Sequence, residues 1–337
     1  MPAVSRKIKE VDNVTADDVL DHVREAKEPL VFRGLVADWP LVRSSRVSSR
    51  EAGNYLRNAY DGSPVTAFTG KEKSGGRIFY TEGLADTNFR QIKTDLGWVL
   101  DRIRESESDP DSPVVYMGST ALAYCLPGIK TANSLRLDGL DATVRIWIGN
   151  RSRVAAHYDV PENIACVCAG TRRFTLFPPD QLANLYVGPI DFTPAGQSIS
   201  LVDLEAPDYD RYPGFAEALE HASSSELEPG DAIYIPSMWW HNVEGRENLN
   251  ILINHWWRTC PNYMGAPQDA LLHAILAIRD LPDEQRAAWR GIFDHYVFDA
   301  DEASVEHIPA ERRGVLGPLD EDAARKLRAV LRNNLNR

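Results

Sequence analysis

Between Ser112 and Thr259 the chain breaks into short β-rich runs at 113–117, 143–149, 153–157, 163–169, 172–177, 231–236, 241–244 and 249–257, separated by glycine- and proline-bearing turns. Many short strands at this spacing fit a sandwich or barrel and exclude a helical bundle or a regular alternation of strands and helices. The stretch 179–209 interrupts the pattern with a long, proline-bearing excursion. Excursions of that length inside a compact β domain are more often functional than accidental.

The flanks read differently. The first third is mixed: a helix over 15–27 with a Thr15/Asp18 start signal, a strand over 30–34, a helix near 50–58, strands over 65–69 and 77–81, and a helix over 89–104. The last of these rests on Ile92, Leu96, Val99 and Ile103, which recur at helical spacing. Beyond Pro261, Leu271, Leu272, Ile275, Leu276 and Ile278 form one apolar stripe, and Trp289, Ile292, Phe293, Tyr296 and Val297 form a second. A charged helix near 320–334 closes the chain. The fold class is therefore mainly β with flanking helices, α+β, in three parts: mixed elements packing on a barrel over 1–110, the barrel over 111–260, and a helical segment over 261–337.

With 337 residues, 43% of them hydrophobic and 26% charged, the chain is long enough for a sizeable core and is neither disordered nor fibrous. A net charge of −12 argues against nucleic acid and anionic membrane as partners. No run of about 18 apolar residues occurs, and Arg6, Lys7, Lys9, Glu10 and Asp12 occupy the place of a secretory apolar run, so the expected location is the cytoplasm. Cys125, Cys166, Cys168 and Cys260 contain no CxxC pair and are expected as reduced thiols, with Cys166 and Cys168 as packing residues. Nucleophile-elbow, P-loop and dinucleotide fingerprints are absent.

The chemistry points elsewhere. His157 and Asp159 end one predicted strand, and His241 opens another 84 residues later. Positions i and i+2 of a strand share a face, so an imidazole and a carboxylate converge, and a second strand across a barrel supplies a second imidazole. Two histidines and one carboxylate on one face of an ion leave open positions, as in non-haem Fe(II) oxygenases. Along 172–177, Arg172 shares a face with Phe174 and Leu176, which draws its guanidinium inside and calls for an anionic partner.

The run His157-Tyr158-Asp159, Asn163, Gly170-Thr171-Arg172-Arg173-Phe174, and Leu176-Phe177-Pro178-Pro179-Asp180-Gln181 resembles the JmjC and cupin-like hydroxylases. Within them it is most like the factor-inhibiting-HIF type of asparaginyl hydroxylase. The resemblance continues through Pro229-Gly230-Asp231, His241 and Asn254-His255-Trp256-Trp257, and the opening Glu28-Pro29-Leu30 with Asp38-Trp39-Pro40 is similar too.

It implies a double-stranded β-helix with Fe(II) held by His157, Asp159 and His241, with 2-oxoglutarate as co-substrate and O2 as oxidant. The activity implied is a dioxygenase that hydroxylates a side chain of a protein or peptide, with succinate and CO2 as co-products. It places Arg172 at the co-substrate carboxylate, where relatives usually carry Lys, and Val154 where the asparaginyl hydroxylases carry Thr. Tyr116 and Asn254 fall at positions lining that pocket, and Asn163 falls near the metal. The helices after Pro261 correspond to a homodimerisation segment.

Those two departures keep a second reading open: a cupin-like metalloprotein that does not use 2-oxoglutarate, such as an isomerase or another dioxygenase. A small-molecule hydroxylase and a non-catalytic scaffold are further alternatives. Of the remaining histidines, His255 should face away from the pocket into the packing, while His22, His221, His273, His295 and His307 should be solvated. Arg145 and Trp147 share a strand face pointing to the metal end, where Arg145 is expected in a structural ion pair.

Overall fold

The computed structural model describes residues 4–70, 74–109, 112–194 and 196–336. The expected boundary at 110/111 lies outside the described residues. Two compact units emerge, Met1–Thr259 and Cys260–Arg337.

In the first unit the N-terminal part contributes β1 (Arg6–Lys7), β2 (Lys9–Val11), β3 (Leu30–Phe32), β4 (Val65–Gly70), β5 (Arg77–Ile78) and β6 (Phe89–Thr94). There follow β7 (Val115–Ala121), β8 (Thr143–Gly149), β9 (Ser152–His157), β10 (Glu162–Ala169), β11 (Arg172–Phe177), β12 (Ser223–Leu227), β13 (Ala232–Ile235), β14 (Trp240–Gly245) and β15 (Asn250–Trp257). They form two sheets, of order β1-β12-β11-β14-β9-β5 and β2-β3-β13-β10-β15-β8-β7-β4-β6. Chain-adjacent strands repeatedly fall in opposite sheets: β10 and β11, β12 and β13, β13 and β14, β14 and β15. That alternation is the double-stranded β-helix, mainly β with flanking helices.

Side-chain alternation builds the layers. On β10, Ala165 and Val167 join Phe174, Leu176, Leu227, Ile233, Ile235, Val243 and Leu252 in one core cluster drawn from both sheets. Ile164, Cys166 and Cys168 point the other way, into a second cluster with residues of α2 (Pro40–Val47), α3 (Ser49–Ala59) and α4 (Leu96–Glu105). Every residue of β10 after Glu162 is therefore buried, which is why it reads as a continuous apolar run. Cys166 and Cys168 are fully buried thiols whose pKa is raised by burial, as packing residues should be.

The turn into β11 depends on Gly170, at φ +70°, where a Cβ would come within 2.5 Å of the Leu249 carbonyl and of Asn250 Oδ1. No other residue fits that approach. On the outer face of the six-stranded sheet, Phe215 and Ala218 of a short helix (Phe215–His221) pack with Phe177 and Trp240.

The stretch 89–104 differs from the expected single helix: it is strand β6 followed by α4. Residues 89–94 pair with β4 throughout, and the Asp95 carboxylate accepts from the Trp98 amide at 2.8 Å, starting the helix only at Leu96. The helix expected over 15–27 is confined to Val19–Arg24, because Asp18 Oδ1 turns back to accept from the Thr15 amide at 2.6 Å. Strand β12 carries no apolar alternation beyond Leu227 and is held by pairing with β11 and β1.

The second unit contains helices Pro267–Ala277, Asp283–Phe293 and Glu321–Leu335, the second running on into a π-helical turn at Asp294–Phe298. The Tyr263 hydroxyl donates to the Leu319 carbonyl at 2.5 Å, and Arg328 donates to the Tyr263 carbonyl at 2.6 Å. No helix among the described residues is long and apolar enough to cross a membrane.

Candidate metal centre

The end of β9 and the start of β14 lie side by side, with His157 and His241 as direct cross-strand partners. Their rings stand 4.2 Å apart between centroids, and Asp159 Oδ2 is 3.6 Å from His241 Nε2. Ligand atoms of the three side chains all lie within 4.8 Å of one another. A register shift between His241 and Val243 marks a bulge beside the site, a common device for re-aiming a side chain.

The tautomers are fixed by the backbone. His157 Nδ1 faces the Ala155 carbonyl at 2.9 Å, and His241 Nδ1 faces the Trp239 carbonyl at 3.0 Å. A carbonyl only accepts, so each Nδ1 carries a proton, which leaves Nε2 as the ring nitrogen that can face an ion. Burial, helped by the neighbouring His241, pushes the His157 pKa down to about 4, so the ring is neutral near pH 7. For Asp159, burial works against ionisation, but His241 and then His157 outweigh it and hold the carboxyl below its usual range. Two imidazoles and one carboxylate are the donor set for a divalent first-row metal with open positions.

These residues open into a cavity of about 650 Å³ between the two sheets. Arg172 lies in its wall, 1% exposed, interacting electrostatically with Tyr116 of the opposite sheet. Its Nε and Nη2 have no hydrogen-bond partner among the described residues. Burial lowers the Arg172 pKa and raises that of Tyr116, and their mutual contact opposes both shifts; a guanidinium remains charged under such conditions. Tyr116 is itself held against Gly149, where a Cβ would come within 2.6 Å of its ring.

Asn254 also lines the cavity and accepts from Trp147 Nε1 at 2.8 Å. Asn163 lies in the same wall, 4% exposed, with Oδ1 unpartnered. Val154 presents a methyl surface there. The seven candidate site residues, His157, Asp159, His241, Arg172, Tyr116, Asn163 and Asn254, thus border one cavity.

Other side chains of the site were not legible. Phe68 and Gln91 reach it from the N-terminal part, Ser119 from β7, and Pro194, Gly196 and Gln197 from the long excursion after β11. Only the unusual length of that excursion signalled its involvement. His255 points out of the cavity, fully buried, with Nε2 accepting from the Leu135 amide at 3.0 Å. His22, His221, His273, His295 and His307 are exposed. Arg145 forms no ion pair among the described residues and instead donates to the Ser119 carbonyl at 2.7 Å.

Comparison with known proteins places this geometry. The chain is 32% identical over 124 residues to Lysine-specific demethylase JMJ31 of Arabidopsis thaliana, covering 36% of this chain and 22% of that protein. It is 34% identical over 106 residues to tRNA wybutosine-synthesizing protein 5 of Mus musculus, covering 32% and 30%. To HSPB1-associated protein 1 of Homo sapiens it is 28% identical over 148 residues, covering 43% and 30%. The matched part is at most 30% of the length of these relatives. The family described as cupin-like domain matches residues 16–263, which takes in β3 to β15 and every residue of the site, and the chain belongs to that family.

Proposed function

We propose that this protein is an Fe(II)- and 2-oxoglutarate-dependent dioxygenase that hydroxylates a side chain of a protein or peptide. One observation carries the reading: the His157/Asp159/His241 group shares a cavity with a buried guanidinium whose Nε and Nη2 have no protein partner. A buried unpaired cation is destabilising unless a ligand anion completes it. A carboxylate meets Nε and Nη2 bidentately, and its acceptor geometry matches that edge. When bound, iron and the 2-oxo acid would supply the oxidising chemistry with O2 as the oxidant: one oxygen atom enters succinate as the 2-oxo acid loses CO2, and the other enters the substrate C–H bond.

The protein's part is binding and orientation. The two Nε2 lone pairs and the Asp159 carboxylate hold the ion, and Arg172 with Tyr116 holds the far carboxylate. Phe174, Ile235, Val243 and Leu252 wall the cavity and limit water. Trp147 fixes the Asn254 amide, and Asn163 Oδ1 remains as an acceptor for a ligand donor.

The test is an anaerobic titration of Fe(II)-loaded protein with 2-oxoglutarate, followed by the visible metal-to-ligand charge-transfer band. Appearance of the band, weakened in Arg172→Ala, supports the reading. Iron binding without the band removes 2-oxoglutarate from it.

Val154 favours a second reading. Its side chain offers no hydroxyl to the cavity that Arg172 lines, so the cavity is compatible with a metalloprotein of the same family that uses no 2-oxo acid. The named relatives act, by name, on lysine and on a tRNA base, so they do not choose the substrate. The net charge of −12 weighs toward polypeptide over RNA.

A further inference from the structure

The turn that delivers His241 is laced to the loop that delivers Asp159. Glu162 Oε2 accepts from the Tyr234 hydroxyl at 2.7 Å and from the Ser237 amide at 3.1 Å. Ser237 Oγ donates to the Val160 carbonyl at 2.5 Å, and the Met238 amide donates to the Asp159 carbonyl at 2.9 Å. The turn closes on itself through the Trp239 amide and the Pro236 carbonyl at 3.2 Å, and the Trp239 carbonyl then takes the Nδ1 proton of His241. Every residue from 159 to 162 except Pro161 therefore contributes a hydrogen bond to this junction.

Two features show that the junction is built for geometry. Met238 sits at φ 68°, a left-handed conformation that side-chain-bearing residues avoid, and its side chain is 41% exposed. Burial of that side chain does not offset the strain; what the conformation provides is an amide aimed at Asp159. The anchor is also rigid: Tyr234 is 3% exposed and stacks on Trp257 with an interplanar angle of 19°. Glu162 and Ser237 are not among the residues that line the cavity.

We propose that Glu162 and Ser237 are positioning residues that set the separation of Asp159 and His241 and, through it, the metal affinity of the site. This rests on the metal-centre reading above. Contacts one layer behind metal ligands are worth roughly 10–100-fold in affinity.

The experiment uses the full chain, stripped of metal and titrated with Co(II), following its d–d absorption at a temperature where far-UV circular dichroism shows every variant folded. Ser237→Ala and Glu162→Ala are expected to raise the Co(II) dissociation constant by roughly 10–100-fold and to shift the band. Glu162→Gln retains an acceptor oxygen and is expected to recover most of the affinity. Should Glu162→Ala fail to fold, Ser237→Ala carries the test. Wild-type affinity and an unshifted band in Ser237→Ala, whatever its thermal midpoint, overturn the proposal. A wild type that takes up no Co(II), or a His157→Ala variant that binds as well as wild type, removes the metal centre and this device together. Normal wild-type binding with unaffected variants removes the device alone.

Discussion

The guanidinium of Arg172, 1% exposed, interacts electrostatically with Tyr116 across the interior of the barrel and leaves Nε and Nη2 without a hydrogen-bond partner among the described residues. Structure and function pull in opposite directions at such a group. For the protein alone, an unsatisfied buried cation is a liability. For a carboxylate ligand, it is a receptor already desolvated and aimed.

Arg172→Met should therefore separate the two. Thermal unfolding of the metal-free protein is expected to be unchanged or improved, by about 1–3 kcal/mol, because buried unpaired donors are removed. Binding of 2-oxoglutarate, measured by calorimetry on metal-loaded protein, is expected to be lost. A variant that is clearly destabilised yet binds the 2-oxo acid normally would show Arg172 to be a structural residue.

The triad makes a simpler demand. With Nδ1 of both histidines committed to carbonyls, Nε2 is the one nitrogen each can offer. His157→Ala is expected to abolish stoichiometric Fe(II) binding, and Asp159→Ala to weaken it strongly, with the fold retained by circular dichroism. Succinate production should fall with metal content. Unaltered iron stoichiometry in His157→Ala would exclude this set of ligands.

Much of this was readable in advance because the physics is local. The period of two groups His157 with Asp159, and Arg172 with Phe174 and Leu176, without knowledge of their neighbours, whereas Asn163, in a run buried on both faces, was legible only through the family resemblance. The 89–104 stretch defeated the same reasoning: the apolar positions from Ile92 to Ile103 fit a helix by spacing, and only pairing of Phe89–Thr94 with β4 makes its first half a strand. Strand β12 was illegible because Ser223, Ser224 and Ser225 carry no hydrophobic signal; two neighbouring strands define it. The contacts of Glu162 with Tyr234 and Ser237 span 72 and 75 residues of chain, and no pattern within a strand announces them.

The unit beyond residue 260 offers a prediction of association. Leu276, Val297 and Phe298 are 78%, 60% and 74% exposed, and Trp289, Ile292 and Tyr296 are exposed with them. Pairing of two copies through these helices, implied by the family resemblance, would cover them. Light scattering at micromolar concentration is expected to give twice the chain mass, and Leu276→Asp with Trp289→Asp to give the single-chain mass. A single-chain mass for the wild type would dispose of the dimer.

His255 predicts how stability depends on pH. Burial lowers its pKa from 6.5 to about 4, and its Nε2 accepts from the Leu135 amide, a bond that protonation would break. The unfolded chain protonates this ring near pH 6.5 while the folded chain resists until about pH 4, so the unfolded state binds more protons throughout that interval. Its contribution is thus fully present above pH 6.5 and is lost progressively as pH falls toward 4, by about 3 kcal/mol in all. His157 titrates in the same direction in metal-free protein, so the informative quantity is a difference. Chemical denaturation of wild type and His255→Gln should be compared between pH 7.5 and 4.5. Gln keeps an acceptor for the Leu135 amide but cannot take up the proton, and the gap between the two proteins is expected to shift in favour of the variant as pH falls. A gap that stays constant over that range would mean that His255 does not resist protonation in the folded state.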